Sequence, residues 1–573
     1  MVAAIAVAAL ASSCKSTTIT LTPTTDGQPG SLRAAIATAN SAGASEVVVQ
    51  MAAGTYELTL CGADDGNAMG DLDIFSDAKV TLVALEPGVT IKQTCAGERV
   101  IDQRGRGLLT LKGVGVTGGS ILSSEQWGLV QGGGIRAESD VTLQGARIFG
   151  NSATATLGSA QGGGLFVRGV LRSMDSSIFE NSTNARGTST YPAPQIVLGA
   201  SEGGGAYVYG EVFVLGGDLS RNDAIAAWGC GGVRGGAIAQ EVNSQAPVAL
   251  GNVSLSGNRA YAEEAIACAA TGGAVAAAGA LTASNITAVG NLAIAGSTDP
   301  WFRVSGSGTA RGGALAGASS VEITSSHFDA NRVRSGHGPW GGCATFACQP
   351  VGNAGAANGG AVWASGALSL NACTLSANTA AEGDGRQVET ALRGGGATAS
   401  ESSVSAVNVT FTGNASTARE ASCTSPTQCI GFDVPGAGAA ASAAVRITLH
   451  HAAIADNSGA TILAAPRVVS TASVALSISG TSLCAAGTAG SGSSYSHFAD
   501  ASCALTGTRI YQNSAGLVLQ PLANNGGAVP TRLPPAGSPL IDAIPTASCS
   551  LTIDARGFPR PSGNGCDIGA VEL

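Results

Sequence analysis

The stretch 132–151, GGGIRAESDVTLQGARIFGN, decides how the chain folds. It runs from a glycine cluster through a short apolar alternation to a lone asparagine, and the chain returns to it repeatedly. Gly-Gly pairs stand at Gly133-Gly134, Gly163-Gly164, Gly204-Gly205, Gly235-Gly236, Gly272-Gly273, Gly312-Gly313, Gly359-Gly360 and Gly395-Gly396. Each is followed by an asparagine: Asn151, Asn181, Asn222, Asn258, Asn291, Asn331, Asn378 and Asn414. From second glycine to asparagine the distance is 17, 17, 17, 22, 18, 18, 18 and 18 residues, and the one departure carries an insertion, QEVNSQAP. From asparagine to the next pair's second glycine it varies from 13 residues (Asn151 to Gly164) to 29 (Asn331 to Gly360). A rigid segment alternates with a free one, which is the signature of a solenoid.

Composition agrees. A chain of 573 residues outgrows one ordinary core, whereas a solenoid repeat contacts only its neighbours. With 83 glycines, 12 % charged and 4 % aromatic residues, the core must be narrow and built from Val, Leu, Ile and Ala. Within the rigid segments VTLQGARI (141–148), VEITSSHF (321–328) and VSAVNVTF (404–411) alternate with period 2, the pattern of half-buried strands. Two or three such strands per repeat predict an all-β chain coiled as a parallel β-helix, right-handed by the crossover rule. The glycine pair permits a sharp bend or close backbone approach. The asparagine is expected at the bend after the longest strand, where it tolerates the left-handed conformation. Its amide bonds to the turn, and successive amides are placed to bond each other as a ladder. These residues read as scaffold.

Three stretches resemble known families. The repeat resembles that of polymorphic outer-membrane proteins, whose units carry GGA[ILV] and FxxN; HFDAN (327–331) and TFTGN (410–414) keep the phenylalanine, while RIFGN and TLSAN substitute it. DGQPGSLRAAIATAN (26–40), with AAGTYELTL and GDLDI after it, is similar to the CSLREA-type N-terminal region of bacterial β-helix proteins, departing from it at Ala34. The tail NNGGAVPTRLPPAGSPLIDAIP…DARGFPRPSGNGCDIGAVEL resembles the choice-of-anchor Q domain of secreted proteins. The resemblance implies a secreted solenoid capped at both ends. Ser31 is the expected N-cap and Gly43 the C′ residue of a short helix over the first coil. The tail, with Asp542, Asp554, Arg556, Arg560 and Asp567, is expected to close the last coil, Asp554 and Arg556 as a fold-holding ion pair. The domain reading is 1–14 signal or lipobox-like, 15–130 N-terminal cap and first coils, 131–480 β-helix repeats, and 481–573 last coils and C-terminal cap.

MVAAIAVAALASSCKS opens with an apolar run too short to span a bilayer and reads as an export signal. Cys14 is its lipidation candidate. No sorting signal or membrane span follows the tail motif, so attachment is expected only through an N-terminal lipid anchor. Fourteen cysteines point to an oxidising compartment. Cys373, inside a rigid segment, reads as a small core residue. The other twelve group by proximity: Cys61 with Cys95, Cys230 with Cys268, Cys343 with Cys348, Cys423 with Cys429, Cys484 with Cys503, and Cys549 with Cys566. For Cys230 and Cys268 there is also geometry, since they hold near-equivalent places in successive repeats and stacked strands bring such positions within disulfide reach.

The sequence holds no HExxH, P-loop or paired CxxC, and no catalytic residue is assigned. The five histidines, His327, His337, His450, His451 and His497, do not form a ligand set; His450 and His451 are expected on opposite faces of a strand, with at least one exposed. DDGNAMGDLDI (64–74) offers Ca²⁺ Asp64, Asp65, Asn67, Asp71 and Asp73, although the spacing is not that of an EF-hand and turn-forming carboxylates are the plainer reading. The net charge of −9 without a basic cluster disfavours nucleic acid. Trp127, Trp228, Trp301 and Trp340 all fall in free segments; only Trp363 follows a glycine pair. If the free segments share one edge, these tryptophans, with Arg303, Arg332, Arg334 and His337, are a candidate site for a glycan or a surface protein; the alternative is that each ring pins its own loop. The preferred reading is a monomeric, non-catalytic surface or secreted solenoid, an adhesin or glycan-binding protein without a cofactor. The alternatives are a polysaccharide lyase or hydrolase and an inert envelope component.

Overall fold

A computed structural model describes residues 16–42, 45–62, 64, 66–186, 199–227, 230–263, 268–297, 308–336, 355–385, 395–425, 428–435, 437–478, 481–513 and 516–573. Within them the chain is a parallel β-helix. Four sheets run along it, which we call A (27 strands), B (13), C (10) and D (7).

One coil shows how they connect. Ile135–Ala137 lies in B, Val141–Gln144 and Arg147–Phe149 in A on either side of a bend at Gly145, Ser152–Ala155 in C and Gly158–Gln161 in D. The chain then re-enters B at Leu165–Val167, with Ile135 opposite Leu165 and Ala137 opposite Val167. Inward residues of A and B (Ile135, Ala137, Val141, Leu143 and Ile148 in this coil) are fully buried. They stack on their equivalents into one apolar core from Leu21 to Leu505.

Sheets C and D form a second compartment. They pack together as a thin fin whose interior is nearly all alanine: Val130, Ala153, Ala155, Ala160 and Ala185 in the first coils, then Ala224, Ala226, Ala260 and Ala262, then Ala270, Ala293, Ala295 and Ala310. Small side chains suit two sheets held this close.

The asparagines and glycines make the neck between body and fin. Asn331 donates both its backbone N–H (3.0 Å) and its Nδ2 (3.0 Å) to Asn378 Oδ1. The same pair of bonds links each asparagine from Asn151 to Asn414 to the next, ending at Asn457, a ninth member outside the GG-based reading. The ladder is as expected, but the asparagine is not the left-handed residue. That conformation belongs to its predecessor (Gly150, Glu180, Arg221, Gly257, Gly290, Ala330, Ala377, Gly413, Asp456), which turns the corner and leaves the asparagine to point inward, fully buried. The glycines likewise divide the work. The left-handed one is Gly132, Gly162, Gly203, Gly235, Gly272, Gly312, Gly359, Gly395 or Gly438. Counted from it, the asparagine follows after nineteen residues in eight units and twenty-three in the unit with the insertion. The next glycine is required by proximity: a Cβ on Gly313 would sit on the Gly360 carbonyl oxygen, and one on Gly360 on that of Gly396.

Helix α1 (Leu32–Ser41) begins at the expected N-cap, with Ser31 Oγ accepting from the Ala34 N–H, and buries Leu32, Ala35, Ile36 and Ala39 over the first coils. Gly43 lies outside the described residues. The C-terminal tail departs from expectation. Rather than plugging the last coil, it folds back along the outer wall of sheet A. Thr374 Oγ1 donates to the Pro530 carbonyl (2.5 Å), Asn408 Nδ2 to that of Ile553 (3.1 Å), and Gly569 N to that of Ala472 (2.9 Å). Arg532 reaches Thr412 Oγ1 (2.9 Å) and Asp456. Leu519, Leu540, Ile544, Ile568 and Val571 pack on Ala453, Ala455 and Val474. Within the tail Asp554 pairs with Arg556 (2.8 Å) and Arg560 with Glu572 (2.9 Å). Of the wall residues that the tail's apolar side chains cover, Ala453, Ala455 and Ala472 are small.

Candidate functional site: the fin edge and the N-terminal ion cluster

Up to Ala357, each free segment of the repeat region connects a C strand to a D strand, so these loops leave from the fin edge. Trp127 lies in the first of them, between Ser120–Ser123 and Gly128–Gln131. It is left-handed (φ 63), its N–H donates to the Leu157 carbonyl (2.7 Å), and its side chain is 60 % exposed. Trp363, off the edge in sheet B, is 6 % exposed with the Arg311 guanidinium 4.8 Å from its ring centroid. The two described tryptophans thus differ as their positions do. Trp228, Trp301, Trp340, Arg303 and His337 lie outside the described residues. Arg332 and Arg334 stand on a C strand (Arg332–Arg334), the first exposed and the second partly buried, on the fin's flank rather than at its edge.

The five residues considered for Ca²⁺ do not converge. Asp65 lies outside the described residues. Asp64 Oδ1 and Oδ2 accept from the N–H groups of Gly66, Ala68 and Met69, and those amides, Ala68 first, hold its carboxyl below the usual range. Asn67 uses its N–H on Asp73 Oδ2 (3.1 Å) and its Nδ2 on the Arg33 carbonyl (3.0 Å). Asp71 and Asp73 instead meet Asp102 from the next coil, with one oxygen of each within 4.8 Å of the others. Asp73 and Asp102 are register partners on sheet B, and Arg136 follows them in the same outward row.

Three guanidinium groups already serve this cluster. Arg99 bridges Asp71 and Asp102 (3.3 Å each), Arg104 bridges Asp102 (2.9 Å) and Asp73 (3.6 Å), and Arg136 reaches Asp102 (2.8 Å). Three carboxylates against three arginines leave no excess negative charge for a dication, so the residues form an ion lattice rather than a Ca²⁺ cage. Burial pushes the Asp71 carboxyl up to about 7, with Arg99 opposing. Arg33 extends the lattice by pairing with Asp26 (2.8 Å) and binding the carbonyls of Met69, Gly70 and Asp71. Asp102 and the arginines escape a local motif search because they arrive from other coils. Their signal is the repetition of an outward Asp in LDI (72–74) and IDQ (101–103).

Three of the expected disulfides are formed: Cys61–Cys95, Cys484–Cys503 and Cys549–Cys566. Cys268 is disulfide-bonded, while the side chain of Cys230, its expected partner, lies outside the described residues. Cys423 and Cys429 face each other in register on an antiparallel hairpin, with undescribed side chains, and Cys343 and Cys348 lie outside altogether. Cys373 is a buried free thiol whose Sγ donates to the Asn371 carbonyl (3.2 Å), as Ser326 Oγ does to that of Thr324 (2.6 Å) one coil earlier.

The histidines form no ligand set among the described residues. His327 contacts Ser376 Oγ (3.0 Å), which donates to Asp329 (2.6 Å). The expectation that His450 or His451 is exposed fails because the strand ends at His450. His451 turns the corner at φ 52 and is fully buried under the tail. Burial, then Arg560 and His450, push it down to about 2.

No family model, curated protein or solved structure matches the chain.

Proposed function

We propose that this chain is a non-catalytic, exported β-helix protein that binds a glycan or a surface partner through the edge of its fin. The observation that carries the reading is the exposed ring of Trp127 on the edge from which the variable segments spring, against the buried Trp363 off it. An exposed aromatic on a rigid scaffold is an anchor for a sugar ring or a protein side chain. The oxidised cysteines support an extracytoplasmic setting, consistent with an export signal and a lipid anchor at Cys14. The secreted-protein families that the two ends and the repeat resemble fit the same setting. The carboxylates that do meet, Asp71, Asp73 and Asp102, are buried and engaged by arginines, which favours binding over polysaccharide cleavage.

A glycan array probed with the full chain, with depolymerisation assayed on every hit, tests this. Binding without cleavage, lost in Trp127→Ala or in Trp301→Ala/Trp340→Ala, is the expected result. Cleavage of a hit would replace the reading with a lyase or hydrolase. Binding unchanged in all the tryptophan variants would move the site off the edge.

A further inference from the structure

The fin begins abruptly. Sheet A extends toward the N-terminus beyond it from Ser16–Leu21 onward and sheet B by Leu72–Ile74, but C starts at Ser120–Ser123 and D at Gly128–Gln131. Among the described residues each of these strands pairs on one side only, with Ser152–Ala155 and Gly158–Gln161. In the coils below, loops of the N-terminal cap take the fin's place and meet only its base. The Ser120 N–H donates to the Glu98 carbonyl (2.7 Å), and Arg99 Nη2 to that of Gln131 (3.4 Å). The first hairpin therefore overhangs as a ledge.

Its main chain is directed outward. In the next coil Ser152 N donates back to the Gly119 carbonyl and Thr156 N to that of Ser123, both at 2.9 Å, so alternate amides of sheet C point toward the N-terminal end. Leu122 is the register partner of Thr154, which aims the Leu122 N–H and C=O at the open edge. The side chains around that edge are apolar and exposed: Leu122 59 %, Trp127 60 % and Leu129 55 %. Solvent-exposed backbone beside such a patch is a template for another strand.

We propose that the ledge binds an extended polypeptide segment of a partner protein by strand addition to Ser120–Ser123. An edge of four residues is only about 13 Å long, and a strand laid along it buries far less than the area, on the order of 1,200 Å², that a stable dimer of globular surfaces needs; it suits a linear segment. The segment carries apolar residues at alternate positions, so that one of them stacks on the outward Leu122. Exposed Glu125 lies just beyond the outer end of the edge, so the segment also carries a lysine or arginine. The site shares Trp127 with the binding reading above but stands apart from it, since main-chain pairing needs no glycan.

The test uses the full chain and fluorescent eight-residue peptides alternating Val or Leu with Ser, with one lysine, read by polarisation. Saturable binding is expected. It should weaken at least tenfold when the peptide is N-methylated on the amides facing the edge, and likewise in Leu122→Pro, which removes an N–H that no strand among the described residues uses. Leu122→Ser, which keeps the main chain, should lose less, and an unchanged Asn-ladder core can be checked by circular dichroism. Failure to bind any such peptide would overturn the proposal. So would indifference to N-methylation, or light scattering showing that the edge is occupied by a second copy. A blank glycan array alongside peptide binding would sink only the glycan reading.

Discussion

Asn378 Oδ1 accepts two hydrogen bonds from the single residue Asn331, one from its backbone and one from its side chain, both at 3.0 Å in a fully buried site. Asn378 thereby satisfies donors of the preceding coil while its own Nδ2 bonds the Phe328 carbonyl (3.0 Å) and Asn414 Oδ1 (3.0 Å). Asn378→Ala strands several buried groups at once. An unsatisfied buried donor costs about 1–3 kcal/mol, so a loss of at least that size is expected in urea denaturation, and Asn378→Ser should recover little because its hydroxyl is too short to bridge coils. A loss below about 0.5 kcal/mol would show that the ladder follows from the fold without supporting it.

Arg532 fastens the tail to the wall. Its guanidinium bonds Thr412 Oγ1, Asp456 and the tail's own Leu519 and Gln520 carbonyls. In Arg532→Ala the segment 516–573 should exchange its amide hydrogens faster while coils 135–331 keep their protection. Uniform loss of protection throughout would mean that tail and solenoid unfold as one unit.

His451 makes the tail acid-sensitive. Its pKa lies far below the ordinary value of about 6.5, so the unfolded chain binds the proton more readily. Stability is therefore complete above about pH 6.5 and falls as the pH drops through the window toward the folded value of about 2, by up to about 1.4 kcal/mol per pH unit. Arg560 and half-buried His450 face the same pocket and oppose a further positive charge. His451→Asn suits the left-handed corner and does not titrate. It should flatten the melting temperature between pH 6.5 and 4.5 relative to the parent; an equal slope in both would assign the acid loss elsewhere.

The Cys61–Cys95 bridge ties two loops of the N-terminal cap across 34 residues. A closed loop of that length restricts the unfolded chain by about 3–4 kcal/mol in the chain-entropy account. Cys61→Ser/Cys95→Ser should lower the urea midpoint accordingly and expose 59–70 and 94–99 to protease first. Unchanged cleavage there would place the cap's stability in the Arg33 and Arg99 ion lattice instead.

How far the sequence disclosed all this depends on what repeats. Alternation in VTLQGARI and the recurrence of asparagine announce the coil, its strands and the ladder, because each unit must satisfy the same backbone as its neighbour. The assignment of the left-handed corner to Asn151 rather than Gly150 misses because both types tolerate positive φ; only burial shows which one points inward. Counting from the GG pair splits equivalent units into two spacings, since GGG in the early coils becomes GGA later and the pair slips by one. Asp102 and Arg99 remain hidden because ion pairs across coils leave no local spacing. The back-folded tail is hidden for a different reason: Ala453 and Ala455 read as ordinary outward residues until Ile568 and Val571 cover them. Trp127 was legible as an edge residue from its place in a free segment, but its exposure was not, since a ring in a loop packs inward as readily as out.

The neck has a consequence for how such a chain changes over time. Between sheets C and D the connection is two residues long after Ala155 and twenty-two after Arg334, yet the glycine-to-asparagine interval on the body side is nineteen in both units. Inserted sequence is absorbed where no core residue has to move, so one half of each repeat is free to diversify while the other stays under strict packing constraint.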